Sequence, residues 1–189
     1  MVRTMLAGLV GGFALYMVGF IFWGTPLSAL AFSKIDAQRS AAVQLSLSQN
    51  LTEAGTGTYL IPDPSSPQGT TAFGQGPIAT VHFNTGGFPV VDAGALTAGL
   101  VLALVVGLLI AFALAVVAPR LPAFADRAKL VIVVTTAILA WTHLGQPLFN
   151  HAPWGHFIYL FVADLLGFIA CGLIVAKMLP VRVLAAEVR

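Results

Sequence analysis

The sequence predicts an all-α membrane protein: four transmembrane helices, with a small α+β extracytoplasmic insertion between the first and the second. Three observations carry that prediction. Hydrophobic residues make up 58% of the 189 and charged residues only 8%, whereas a soluble domain is about a quarter charged. Four apolar runs are long enough to cross a bilayer. Between the first two runs lies a polar stretch punctuated by Gly, Pro and Ser, the mark of chain outside the hydrocarbon. The formal charge of +2 is too small, and its basic residues too scattered, for a nucleic-acid partner. The single cysteine, Cys171, sits inside an apolar run. One cysteine excludes an internal disulfide, a CxxC redox pair, a c-type haem motif and a thiolate zinc site. The richness in Ala, Gly, Val and Leu reads as bacterial.

The first unit, residues 1–31, holds span one, from about Leu6 to Trp23 and continuing toward Ala31. Its basic start and its Ala29-Leu30-Ala31 triplet imitate a cleavable secretory signal. The apolar stretch exceeds the usual ~7–15 residues of such signals, so it reads as an uncleaved anchor. Residues 32–90 form the insertion, too long for a bare loop and short for an independent domain. Ser33-Lys34-Ile35-Asp36 matches a permissive capping box. Ile35, Val43, Leu47 and Leu51 follow at multiples of four, predicting a helix from about Lys34 to Leu51. "GTGTYLIP" and "GPIATVHF" read as two short strands, and "DPSSPQGTTAFGQ" between them as a mobile loop. One helix and two strands bury little core alone, so the unit must lean on the spans, on a partner, or on both.

Residues 91–189 hold the other three spans. The second runs from about Val91 to Ala118 and is ended by Pro119; at ~1.5 Å per residue it is roughly 40 Å long and should tilt or project from the hydrocarbon. The third runs from about Leu130 to Phe149, the fourth from about His156 to Met178 with Pro180 beyond. Arg3, Arg120, Arg127, Lys129, Lys177, Arg182 and Arg189 fall on one side of this arrangement, and only Lys34 and Arg39 on the other. Seven against two places both termini in the cytoplasm, in a bacterial inner membrane.

Within this frame the insertion carries Gly57-Thr58-Tyr59-Leu60-Ile61-Pro62 and a later Gly76-Pro77 strand, and an aromatic-rich hairpin precedes the last span. In these features the chain resembles a loose class of small four-span bacterial inner-membrane proteins with a GxYxxP-containing periplasmic segment. The resemblance implies the four-span layout and brings no catalytic residue and no substrate.

Three constellations are candidates for function. Ala95, Gly99, Ala103, Gly107, Ala111 and Ala115 place a small residue at every fourth position of span two, with Ala163, Gly167 and Cys171 a shorter series in span four and Gly8 and Gly12 in span one. Such ridges let helix backbones approach in lipid, either within the bundle or against another chain. His143 and Asp164 form the second. Asp164 lies roughly 12 Å and His143 roughly 9 Å below the outer boundary, so they meet across the hairpin if their faces agree. An ionisable residue at that depth marks a proton relay or polar ligand contact, or else a helix-to-helix hydrogen bond that fixes the bundle. Thr142 and Gln146 lie nearby in sequence. Third, Trp154, His156 and Tyr159 read as interfacial aromatics. His143, His151 and His156 lack acidic or thiol companions in the outer loop and do not read as a metal site.

No phosphate loop, G-x-S-x-G or H-E-x-x-H motif is present, and no cofactor is implied. The expected function is that of a non-enzymatic accessory, assembly or scaffold subunit of a larger membrane complex. Its expected partners are the lipid bilayer and another integral membrane protein. The alternative is a small proton-coupled transporter or channel using His143 and Asp164; a third reading is a membrane enzyme acting on a lipid or quinone near the outer leaflet.

Overall fold

The structure of the protein, a computed structural model, describes residues 1–179; the Pro180 stop and the flanking Arg182 and Arg189 lie outside the described residues. The chain is mostly helical, at 72%, with one small two-stranded sheet. Four helical stretches are long and apolar enough to cross a membrane: Val2–Trp23, Ala93–Val117, Phe124–Asn150 and Trp154–Met178. The chain divides into two units, Lys34–Asp92 and the remainder.

In the larger unit, helix α1 (Val2–Trp23) ends at Gly24, whose N–H reaches back to the Phe20 carbonyl. The reading that carried span one toward Ala31 is corrected here. Thr25 and Pro26 break the helix, and a separate 3₁₀ turn runs Pro26–Ala31, its first amide held by the Thr25 hydroxyl. Pro at the first position of a turn sets φ for a new start rather than a continuation.

Four further helices of this unit are α4 (Ala93–Val117), α5 (Phe124–Leu139), the short α6 (Gly145–Asn150) and α7 (Trp154–Met178). α1 packs against both α4 and α7, and α5 packs on α7. Glycines set the closeness of these contacts. A Cβ on Gly12 would meet the Ala103 carbonyl and stand 2.8 Å from the Leu104 Cα; one on Gly8 would stand 2.8 Å from the Leu108 Cα. On the other flank of α1, a Cβ on Gly11 would lie 2.8 Å from a Val175 methyl of α7. The core consists of small and mid-sized aliphatic side chains and one cysteine: Ala111, Leu114 and Ala118 from the α4 end, Val131 of α5, and Cys171, Val175, Ala176 and Leu179 from α7 and its end. This is packing by backbone approach and dispersion, the mode available to helices in hydrocarbon.

Between α5 and α6 the helix widens into a π turn, Ala140–Leu144. Pro147, four residues beyond His143, explains it. Proline has no N–H to give the His143 carbonyl, and its ring clashes with that carbonyl in a regular α-helix. Span three, read from sequence as one uninterrupted helix, therefore carries an extra-wide turn at His143. α6 ends at His151, which takes a left-handed conformation at φ 53°, a common way to terminate a helix.

In the smaller unit, α2 (Ala37–Leu51) starts from Asp36, whose side chain accepts the Arg39 N–H at 2.8 Å. The cap is thus Asp36 rather than Ser33. β1 (Gly57–Ile61) and β2 (Ala79–Phe83) pair antiparallel, with Gly57 opposite Phe83 and Ile61 opposite Ala79. Tyr59 and Phe83 meet edge-on, and the Tyr59 hydroxyl donates to the Gly55 carbonyl at 2.7 Å. The segment between the strands, expected to be a loop, contains α3 (Pro67–Gln75), so the unit has two helices rather than one. Gly and Thr mask its helical character in composition. Ser66 supplies the cap, accepting from the Gly69 amide at 3.0 Å, with Pro67 at the first position. Just upstream, Asp63 accepts the Ser65 amide at 2.9 Å and the Ser65 hydroxyl at 2.8 Å. The amide foremost, then the hydroxyl, holds its carboxyl below the ordinary value. No residue from Lys34 to Asp92 is buried.

Candidate functional site

The structure brings His143 and Asp164 together. His143 Nε2 and Asp164 Oδ2 stand 2.8 Å apart. The π turn presents the imidazole from one side, and the middle of α7 presents the carboxylate from the other. The side chains are 13% and 38% exposed, respectively. With the carboxylate accepting from Nε2–H, a neutral imidazole keeps Nδ1 as an acceptor. Asp164 Oδ1 and His143 Nδ1 have no hydrogen-bond partner among the described residues. Neither atom is sealed, since among the described residues no fully buried side-chain nitrogen or oxygen lacks a partner. Thr142 and Gln146 stay out of the pair: the Thr142 hydroxyl donates to the Ile138 carbonyl, and Gln146 accepts from the Asn150 amide. Sequence reasoning placed the two residues at matching depth but missed the π turn; Pro147 was the signal for it.

One helical turn from this pair lies an apolar groove of about 400 Å³. Its walls are α4 (Ile110, Ala113, Leu114, Val117) and α5 (from Leu130 to Leu139), and Phe168 and Gly172 of α7 form its floor. Phe168 stands four residues from Asp164 on α7 and so lies on the same face of that helix, and Leu139 is the last residue of α5 before the π turn that carries His143.

The small-residue series of α4 divides along its length. Ala103, Gly107 and Ala111 are buried, Ala115 and Gly99 are half-buried, and Ala95 is exposed. Gly107 faces the backbone of Gly8 and Gly12, so α1 fills the middle of the ridge. On α7, Ala163 and Gly167 are buried, and a Cβ on Gly167 would stand 2.9 Å from a Leu15 methyl of α1.

The aromatic group closes the end of the bundle where α1 stops. The Tyr159 hydroxyl donates to the Phe22 carbonyl at 2.7 Å. His156 Nδ1 donates to the Ala31 carbonyl at 2.8 Å, which fixes its tautomer. Tyr159 meets Phe22 and Trp23 edge-on, and Phe32 lies against both Trp23 and His156. Trp154 is half-exposed and outside this cluster. His156 and Tyr159 thus fasten the 3₁₀ turn and the end of α1 to α7, a role beyond an interfacial belt.

Sequence reasoning also missed Arg127, which it counted only as flanking charge. It is 3% exposed. Its Nε donates to the Ala176 carbonyl at 3.1 Å, and one terminal nitrogen donates to the Leu121 and Pro122 carbonyls at 2.8 Å each. Among the described residues no three His, Cys, Asp or Glu side chains gather as a metal would need.

These features define a helical protein with four helices fit to cross a membrane and one polar pair set among them. The chain matches no family model, no curated protein and no solved structure.

Proposed function

We propose that the protein is a non-enzymatic accessory, assembly or scaffold subunit of a larger membrane complex. One observation carries the reading: the Lys34–Asp92 unit has no buried residue. α2 exposes Val43 and Leu45, and β1 exposes Leu60 and Ile61. A two-stranded hairpin is marginal without something to pack on, and so is a helix that buries nothing. Such a unit gains its core from a partner. The exposed end of the α4 ridge at Ala95 fits the same reading. The bundle lies in a bacterial inner membrane with both termini cytoplasmic and this unit on the outer face, by the distribution of Lys and Arg. Cysteines placed at Ser48 and Ala125 test the orientation: an impermeant thiol reagent should label the first from outside and spare the second, and the reverse pattern overturns it.

The function is tested by purifying the full chain in mild detergents. The expected result is a stoichiometric complex with another integral membrane protein, lost when Val43→Asp and Leu47→Asp are introduced together. Recovery as a lone monomer in every mild detergent, at native expression, overturns the reading.

A further inference from the structure

We propose that the Ala31–Phe32 peptide bond is a latent cleavage site for a signal-type peptidase, and that His156 and Tyr159 of α7 hold it closed in the folded bundle. Hydrolysis there adds one water across the bond, leaving a carboxylate on Ala31 and an amine on Phe32. The inference is independent of the subunit reading.

The sequence sets up the site. A basic start, an apolar stretch and Ala29-Leu30-Ala31 are in outline the three parts of a secretory signal, in which cleavage follows a small-x-small triplet. α1 stops at Gly24, so the triplet stands clear of the apolar helix. The fold then withholds the bond in three ways. An Ala-x-Ala triplet offers both methyl groups to one surface when the chain is extended, because alternate side chains of a strand share a face. Here the triplet lies in the 3₁₀ turn Pro26–Ala31, where successive residues advance by about 120° and the two methyl groups diverge. Ala29 is accordingly exposed, whereas Ala31 is 4% exposed.

The second obstacle is at the reacting carbonyl. A serine-type peptidase must reach that carbon and cover its oxygen with hydrogen-bond donors. The Ala31 oxygen is already held by Nδ1 of His156 at 2.8 Å. Third, Phe32, on the far side of the bond, lies against Trp23 and the His156 ring. The Tyr159 hydroxyl pins the end of α1 through the Phe22 carbonyl at 2.7 Å. These contacts must break before the segment can extend. His156 stands 125 residues downstream of Ala31, so closure is conditional on the last span. A chain with α7 seated keeps residues 1–31 joined. One whose α7 is displaced offers the triplet, and a cut there severs α1, with the Gly8 and Gly12 that meet α4, from the rest of the chain.

The test uses the purified full chain in mild detergent with the soluble catalytic domain of a bacterial signal peptidase, so the side of a membrane that the site faces does not enter. The product is identified by a new amino terminus at Phe32. The wild-type chain should resist cutting. His156→Phe keeps a ring beside Phe32 and removes the donor. It should be cut about ten-fold faster, since cutting follows the population of the opened segment; ten-fold corresponds to ~1.4 kcal/mol, the worth of one hydrogen bond. Tyr159→Phe, which loses only a hydroxyl, should also speed cutting, and the double variant should be cut faster than either. Ala29→Phe, at an exposed position, should abolish the cut in the His156→Phe chain, because the triplet must be small. Unchanged circular dichroism and elution volume establish that each variant is folded. Cutting of the wild type as fast as the variants, resistance of all three α7 variants, or a cut before Phe32 that survives Ala29→Phe overturns the proposal.

Discussion

At the scale of single residues, two of the polar groups set among the helices, Arg127 and Asp164, have very different consequences. Arg127 satisfies three backbone carbonyls that belong to the α4–α5 connection and to the last turn of α7. The carbonyls of a final helical turn have no partner within the helix, and a guanidinium is a planar fork that can serve several at once. Arg127→Ala is expected to cost about 1–3 kcal/mol, the penalty for leaving buried acceptors unpaired. Arg127→Lys should recover little of it, since one ammonium cannot reproduce the fork. Asp164 makes one hydrogen bond to His143 and is more open. Its replacement by Ala should cost about 0.6 kcal/mol and at most about 1.7, as for other hydrogen bonds between helices in lipid. Reversible unfolding in mixed micelles ranks the two variants, and a larger loss for Asp164→Ala would invert the assignment. The contrast separates legible from hidden residues. Asp164 stood out because an acid in an apolar run is conspicuous. Arg127 did not, because a basic residue beside a proline-rich turn looks like any flanking charge until the chain folds over it.

At the scale of elements, the spacing of glycines decides which helices touch. Gly8 and Gly12 of α1 meet Ala103 and Gly107 of α4 so closely that a methyl group has no room, whereas Gly19 has nothing within 4 Å. Gly12→Ala should therefore destabilise the bundle by about 1–3 kcal/mol through overpacking. Gly19→Ala should be neutral or stabilising by up to about 1 kcal/mol, because alanine restricts the unfolded chain at no steric cost. Unfolding of the two variants side by side checks this, and equal effects would mean that α1 and α4 do not cross at Gly12. The long apolar helices were legible because length and hydropathy alone identify them. The elements that were misread all turn on local backbone chemistry that hydropathy ignores. The break after Trp23 depends on Thr25 and Pro26, the wide turn at His143 on Pro147 four residues later, and α3 on the Ser66–Pro67 cap. In each case a proline or a hydroxyl acts on specific amides and carbonyls, and the average character of the segment is unchanged.

At the scale of the whole chain, its two units differ in what holds them. The larger unit has a core of Ala, Val, Leu and Cys side chains at the contact of α4, α5 and α7, and backbone-close contacts of α1 with α4 and α7. The Lys34–Asp92 unit has caps, a five-residue ladder and an edge-on ring pair, and no buried residue. Local bonds of that kind do not stabilise a short helix in water. Nucleating a helix is unfavourable, and isolated helices near fifteen residues are marginal even in favourable sequences. α2 has fifteen residues and includes β-branched and hydroxyl side chains. In the purified chain without partners, its amides are expected to exchange with deuterium within seconds to minutes, while the amides of α1, α4 and α7 at their mutual contacts remain protected far longer, as the local free energies of opening require. Addition of the partner found by purification should slow exchange across α2 and leave the bundle amides unchanged. The same measurement on the Val43→Asp, Leu47→Asp variant should show no slowing. Strong protection of α2 in the lone chain would mean that it is held by contacts within this molecule, and the inference that the Lys34–Asp92 unit waits for a second protein would then lose its physical basis.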